Sequence, residues 1–264
     1  MATVIDNQKA LRPLQGLPFC YLCNRTFIEG EPQNKDHVPP SALFQRSDRN
    51  FPLILPSHPA CNSARSAEDE VVSQLVGLLH DESPKPKTRQ VRIAAGQFQD
   101  GTTGVGAVGL PLKAIIWRWV RGFHAALYRA PIPYGARYSI VPPLPEGLVT
   151  NARVEPIPIA EVAPALVEEL KRNRTAGTLD SVTCRNGACR YECVWTQADN
   201  GRRICAWALD LYGWRELGES RHFDARGCVG VYHLPEHAVP EGASLATTLH
   251  FPFDNRDKLD PFGS

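Results

Sequence analysis

Two pairs of metal-ligating side chains mark the N-terminal quarter of the chain. Cys20 and Cys23 lie in C-Y-L-C and His58 and Cys61 lie in H-P-A-C, each pair separated by two residues and the pairs far apart in sequence. Thiols and imidazoles at this spacing clamp one tetrahedral zinc ion, two ligands from each knuckle. With four protein ligands such an ion has no open position, so it serves structure rather than catalysis. Asp36-His37 stands between the knuckles in K-D-H-V-P-P, and Asn62 follows the last expected ligand. A carboxylate, an imidazole and an amide oxygen tied to one structural metal are what a hard divalent cation and a general base require.

The elements that must position these residues follow from local pattern. From Cys20 the expected order is a knuckle, a short strand and an extended segment entering Asp36-His37-Val38, which Pro39 and Pro40 end by removing backbone donors. Ser41 to Phe44 suits a short helical turn. Asn50 to Leu55 reads as the second strand, leading into the His58 knuckle. After Cys61, Val71, Leu75, Leu78 and Leu79 recur at helical spacing through His80. That helix is expected to carry Asn62 in its first turn, facing back toward His37.

The stretch from Cys20 to Arg65 resembles the HNH endonucleases of the zinc-knuckle type, in which a ββα-metal finger carries the nuclease site. The resemblance rests on C-x2-C, then D-H-V-P, then a second knuckle running into C-N-x-x-R, and it covers roughly a quarter of the chain. His58 stands where the family usually has Cys, an exchange zinc tolerates. Asn50 is the nearest counterpart of the family's middle Asn, a few residues upstream of the usual position. The resemblance implies an α+β chain: an N-terminal ββα-metal (HNH) finger with a structural zinc, then a helix and a C-terminal region containing an antiparallel sheet. It further implies that Asp36 and Asn62 hold Mg²⁺ or a similar cation against the scissile phosphate, that His37 takes the proton of the attacking water, and that Arg65 contacts phosphate. DNA is the favoured substrate. An RNA-cleaving nuclease with the same finger and a zinc knuckle that binds nucleic acid without catalysis are the alternatives.

At 264 residues the chain has room for a small module and a larger one, and the expected division is a finger over 14–80, a linker over 81–112 and an α+β accessory region over 113–264. The net charge of +1 supplies no global attraction to nucleic acid, so any such contact rests on local basic patches. The absence of a long apolar run, and of basic and apolar blocks after Met1, leads to the expectation of a cytoplasmic protein with reduced thiols and no membrane contact.

Residues 1–15 read as a loosely packed lead-in. Within the linker, Lys85, Lys87, Arg89 and Arg92 form a basic run, and the glycines of 101–109 lack the lysine of a phosphate loop. Leu112 to Arg129 is a helix with Ile116, Val120, Phe123 and Leu127 on one stripe and Arg118, Arg121 and Arg129 on another, a solvated or phosphate-facing set; His124 reads as a packed or surface residue. Gly122 inside it signals a close approach of another element. A second helix covers Ala160 to Arg174. Asn186-Gly187 and Asn200-Gly201 as hairpin turns predict a three-stranded meander over 181–212, extended by strands at 229–233 and near 247–253. Two-residue turns there pair Cys184 with Cys189, set Cys193 opposite Ala208 and Cys205 opposite Thr196, and so send Cys193 and Cys205 to opposite faces, unable to share one ion. Cys228 reads as packing, and no reactive-cysteine signature accompanies these thiols.

Overall fold

The strands within 180–197 and 203–211 pair into the centre of a mixed sheet, with helices packed on its two faces. The computed structural model describes residues 2–70, 92–97, 103–108, 112–141, 159–197, 203–212, 227–240 and 258–259. Its strands are β1 (Val4–Ile5), β2 (Asn34–His37), β3 (Ile54–Ser57), β4 (Arg92–Gln97), β5 (Thr103–Val108), β6 (Arg137–Val141), β7 (Asp180–Cys184), β8 (Cys189–Gln197), β9 (Arg203–Leu211), β10 (Gly227–His233) and β11 (Lys258–Leu259). The labelled helices are α1 (Gln8–Leu11), α2 (Pro59–Ser63), α3 (Leu112–Tyr128) and α4 (Ile159–Ala176). Seven strands form one sheet in the order β1-β7-β8-β9-β10-β6-β11, while β2-β3 and β4-β5 are separate antiparallel pairs. The chain is mixed α+β.

The meander β7-β8-β9 is present, with β10 added to its edge. Cys184 pairs with Cys189 as expected, across a turn over Arg185–Gly187 in which Arg185, Asn186 and Gly187 all have positive φ. The next connection is different. Cys193 faces Trp207 and Cys205 faces Trp195, one residue away from the expected register. Because side chains alternate, that single step puts Cys193 and Cys205 on the same face, together with Cys184 and Cys189. Contrary to expectation, Cys193 and Cys205 therefore do not point to opposite sides of the sheet. Among the described residues, Cys20, Cys23, His58 and Cys61 are nonetheless the one metal-compatible group, and the sheet thiols are buried packing partners.

α3 lies on this thiol-bearing face. Trp117 stacks on Tyr138 at 4.5 Å and Phe123 on Tyr191 at 4.7 Å, and His124 Nδ1 meets the Tyr232 hydroxyl at 2.7 Å. α4 covers the opposite face, where Arg174 pairs with Glu192 of β8. The other side of α3 packs on the N-terminal segment, so this helix is enclosed by both. Arg118 and Arg121, expected in solvent or on phosphate, are accordingly buried at 2% and 1% exposure. Residues on both sides of the expected 81–112 connector contribute to one apolar core.

The N-terminus differs from the expected loose lead-in. β1 runs parallel to β7, the Thr3 carbonyl accepts from Ser181 N at 2.8 Å, and Asn7 caps α1 by accepting from Ala10 N at 3.0 Å. Leu11 and Leu14 are buried. Inside the expected connector, β4 and β5 pair along their length. The run Lys85, Lys87 and Arg89, the helix through Val71 to His80 beyond a helical start at 66–70, and the strand near 247–253 lie outside the described residues. Among the described residues no helix is long and apolar enough to cross a membrane.

Candidate metal centre

The first knuckle is a tight reversal. Phe19 bridges Thr26, Cys20 N donates to Arg25 O at 2.9 Å, and Asn24 takes the left-handed turn, φ 61°, that closes it. The second knuckle is the start of α2. His58 is its N-cap and Pro59 its first residue, where a missing N–H costs nothing, so His58 and Cys61 fall one turn apart on one side. β2 and β3 join the knuckles, with Asn34 opposite Ser57 and His37 opposite Ile54.

These elements bring Cys20, Cys23, His58 and Cys61 together, with their ligand atoms all within 4.8 Å of one another. His58 Nδ1 lies 3.2 Å from Cys23 Sγ and 4.0 Å from Cys61 Sγ. Tetrahedral zinc sets neighbouring donors roughly 3.3–3.8 Å apart, so the three sulfurs and one nitrogen fit a zinc-type ion in both donor chemistry and spacing. Their protonation points the same way. Burial raises the Cys20 pKa, opposed by backbone N–H groups led by that of His58, and burial with the neighbouring Cys20 and Cys23 pushes Cys61 up to about 12. Cys20 and Cys61 thus resist ionisation until a cation balances them, which a bound metal does.

One residue of this centre escaped the sequence reading. Glu31 Oε1 lies 3.2 Å from His58 Nε2, and its Oε2 accepts from Ile28 N at 3.1 Å. The Ile28 amide, more than His58 or Arg25, holds this carboxyl below its ordinary range. A carboxylate on the far nitrogen orients the imidazole and fixes its tautomer, leaving Nδ1 free to ligate. No sequence spacing announces it, because Glu31 reaches His58 from the loop before β2.

Asp36 and His37 are neighbours on β2 and therefore point to opposite sides. Asp36 turns inward, 8% exposed, and accepts from the Tyr21 hydroxyl at 2.5 Å. Burial raises its pKa, with Tyr21 and Arg118 acting against that shift. His37 is half-buried, and burial followed by the Arg185 charge lowers its pKa. Asn62 is half-buried in the first turn of α2, its backbone N–H on His58 O at 3.1 Å. Arg65 lies just beyond, paired with Glu68 at 3.1 Å, and Asn50 is exposed in the loop between β2 and β3.

Two distant residues hold this assembly. Arg121 of α3 donates to Tyr21 O at 3.3 Å, Leu22 O at 2.9 Å and Asn24 Oδ1 at 2.7 Å, fastening the first knuckle. Arg185 donates to Arg49 O at 2.9 Å, Pro39 O at 3.3 Å and Ser41 Oγ at 2.8 Å, with its guanidinium over Phe44. The sheet thus grips the loop that follows His37. No family model, curated protein or solved structure matches the chain.

Proposed function

We propose that the chain is a metal-dependent endonuclease that hydrolyses phosphodiester bonds in nucleic acid, DNA foremost, with His37 as the general base. The observation that carries this reading is the order of strand, strand and helix around the Cys/His cluster, with Asp36-His37 on the first strand and Asn62 in the first turn of the helix. His37 is accessible enough to meet water, and the lowered pKa keeps its imidazole neutral and proton-accepting at neutral pH. Asp36 and Asn62 offer the hard oxygen donors that suit Mg²⁺, with one Asp36 oxygen already taken by Tyr21. Such a cation, when bound, supplies charge neutralisation at the phosphate and leaving oxygen. Arg65 stands after α2 as a phosphate contact. The zinc-type centre sets the relative position of β2 and α2 and takes no part in proton transfer.

A second reading, a zinc-stabilised module that binds nucleic acid without cutting it, is favoured by the inward turn of Asp36 toward Tyr21 and Arg118. One experiment separates the two. Purified protein is incubated with plasmid, linear DNA and RNA, in Mg²⁺ or in EDTA. Cleavage that requires Mg²⁺ supports the nuclease, and shifted but intact substrate supports the binding module.

A further inference from the structure

Phe51 is turned out of a place in the core that its position in the chain offers it. Leu53 and Leu55 are fully buried, and continued extended backbone would put Phe51 on their face. Pro52 also biases the residue before it toward extended backbone. Instead Phe51 has φ 49°, the left-handed region that a bulky side chain rarely enters, and 45% of its surface is exposed. The sheet enforces this. Arg185 N donates to Phe51 O at 2.9 Å, Arg185 Nη1 to Arg49 O at 2.9 Å and Asn186 Nδ2 to Ser47 O at 3.2 Å. Those contacts come from a turn whose own Arg185 and Asn186 have positive φ. Backbone strain maintained on both sides of a contact, ending in an aromatic ring in solvent, marks a surface kept for use.

Its surroundings state the use. Arg46 and Arg49 are exposed on the same loop, Arg49 Nε bonded to Phe44 O at 2.9 Å, and the loop's carboxylate, Asp48, accepts from Ser47 Oγ at 3.1 Å. The loop is continuous with the catalytic strand pair: Leu53 O accepts from Val38 N at 3.0 Å, and Ile54 pairs with His37. An exposed aromatic ring on a loop that also carries two exposed arginines matches a base and its phosphates. In an intact duplex the bases are stacked on one another and offer no free face to the ring.

We propose that Phe51 is a stacking platform for an unpaired base, with Arg46 and Arg49 taking the adjoining phosphates. The nucleic acid that enters this site is then single-stranded or locally opened. This deepens the nuclease reading and rests on it.

The test uses the full-length protein in EDTA, so that nothing is cut, with fluorescein-labelled oligo(dT), oligo(U) and a DNA duplex of equal length. Phe51→Ala and Phe51→Leu should each weaken single-strand binding about 5- to 100-fold, the range expected for one lost base–aromatic stack, while duplex binding changes less than about twofold. Phe51→Trp should retain binding, with its added fluorescence quenched by the oligonucleotide. Phe51→Gly accepts the left-handed backbone freely, so it should fold as the wild type does and lose binding as Phe51→Ala does. Oligo(dT) and oligo(U) distinguish a DNA from an RNA substrate, and loss on either supports the platform. Equal binding by wild type, Phe51→Ala and Phe51→Leu overturns it, as does equal loss on single strand and duplex. If the wild type binds nucleic acid and cuts it while Phe51 is indifferent, this inference fails and the nuclease reading stands. If the wild type binds none of the three probes, both fail.

Discussion

Gly122→Ala tests how tightly α3 is packed against the strand that carries His37. A Cβ at Gly122 would lie 2.7 Å from Val38 Cγ1, 3.1 Å from Val38 Cγ2 and 3.3 Å from Leu55 Cδ1. Carbon atoms settle about 3.5–4.0 Å apart, so the new methyl overlaps the valine by roughly 1 Å. Val38 and Leu55 are both 0% exposed, and a branched side chain has little rotamer freedom with which to retreat. Two opposing effects then compete. Replacing glycine in a helix gains about 1 kcal/mol, and overpacking a filled core costs about 1–3 kcal/mol. At 2.7 Å the overlap takes the upper part of that range, which makes the net effect a destabilisation of about 1–2 kcal/mol. Urea denaturation with an unchanged m-value measures it. Val38→Ala removes the methyls that collide, so the double variant should recover most of the loss in a mutant cycle. A Gly122→Ala protein more stable than the wild type, or a cycle with no coupling to Val38, would refute the close approach.

His58→Cys should keep one zinc per chain by elemental analysis, whereas His58→Ala should lose it, because only the former leaves four ligands. Glu31→Ala should weaken zinc binding about 10- to 100-fold in a competition titration with a chelator, and should have no effect once residue 58 is Cys and has no second nitrogen to orient. Arg121→Ala strips three acceptors of a buried cation and should cost about 3 kcal/mol or more, with easier zinc loss; Arg121→Lys should not restore it, since an ammonium cannot span the fork. His124 has its pKa lowered from 6.5 to about 3 by burial, with Arg121 acting in the same sense. Its contribution is therefore complete above the unfolded value and is lost as pH falls between 6.5 and 3, because the unfolded chain takes up a proton that the folded one refuses. From pH 7 to pH 5 that loss is about 2 kcal/mol, read as the part of the pH dependence that disappears in His124→Gln.

The four residues of the metal-compatible cluster were legible because ligand spacing is a local property: C-x2-C and H-x2-C each place two donors on one turn. The two long helices and the meander were legible for the same reason, through their apolar periods. What local pattern does not carry is the partner of a buried polar group. Arg118 and Arg121 sit on the polar stripe of α3, and their burial follows from the N-terminal segment closing over that stripe. Glu31 meets His58, and Arg185 meets the loop after His37, across 27 and 146 residues of chain at the widest. The second strand begins at Ile54 rather than near Asn50 because the sheet captures Phe51 O and Arg49 O and turns the chain there. The register step at Cys193 shows how small an error suffices: one residue in a hairpin connection exchanges the two faces.

The central claim is that His37 is a base beside a metal-organised site, and the single-turnover cleavage rate of His37→Ala against wild type in Mg²⁺ tests it most directly. The variant should retain its zinc and its affinity for nucleic acid and cut about 10²- to 10⁴-fold more slowly, the usual cost of a lost general base. His37→Ala cutting at the wild-type rate, with zinc content equal, would contradict the account.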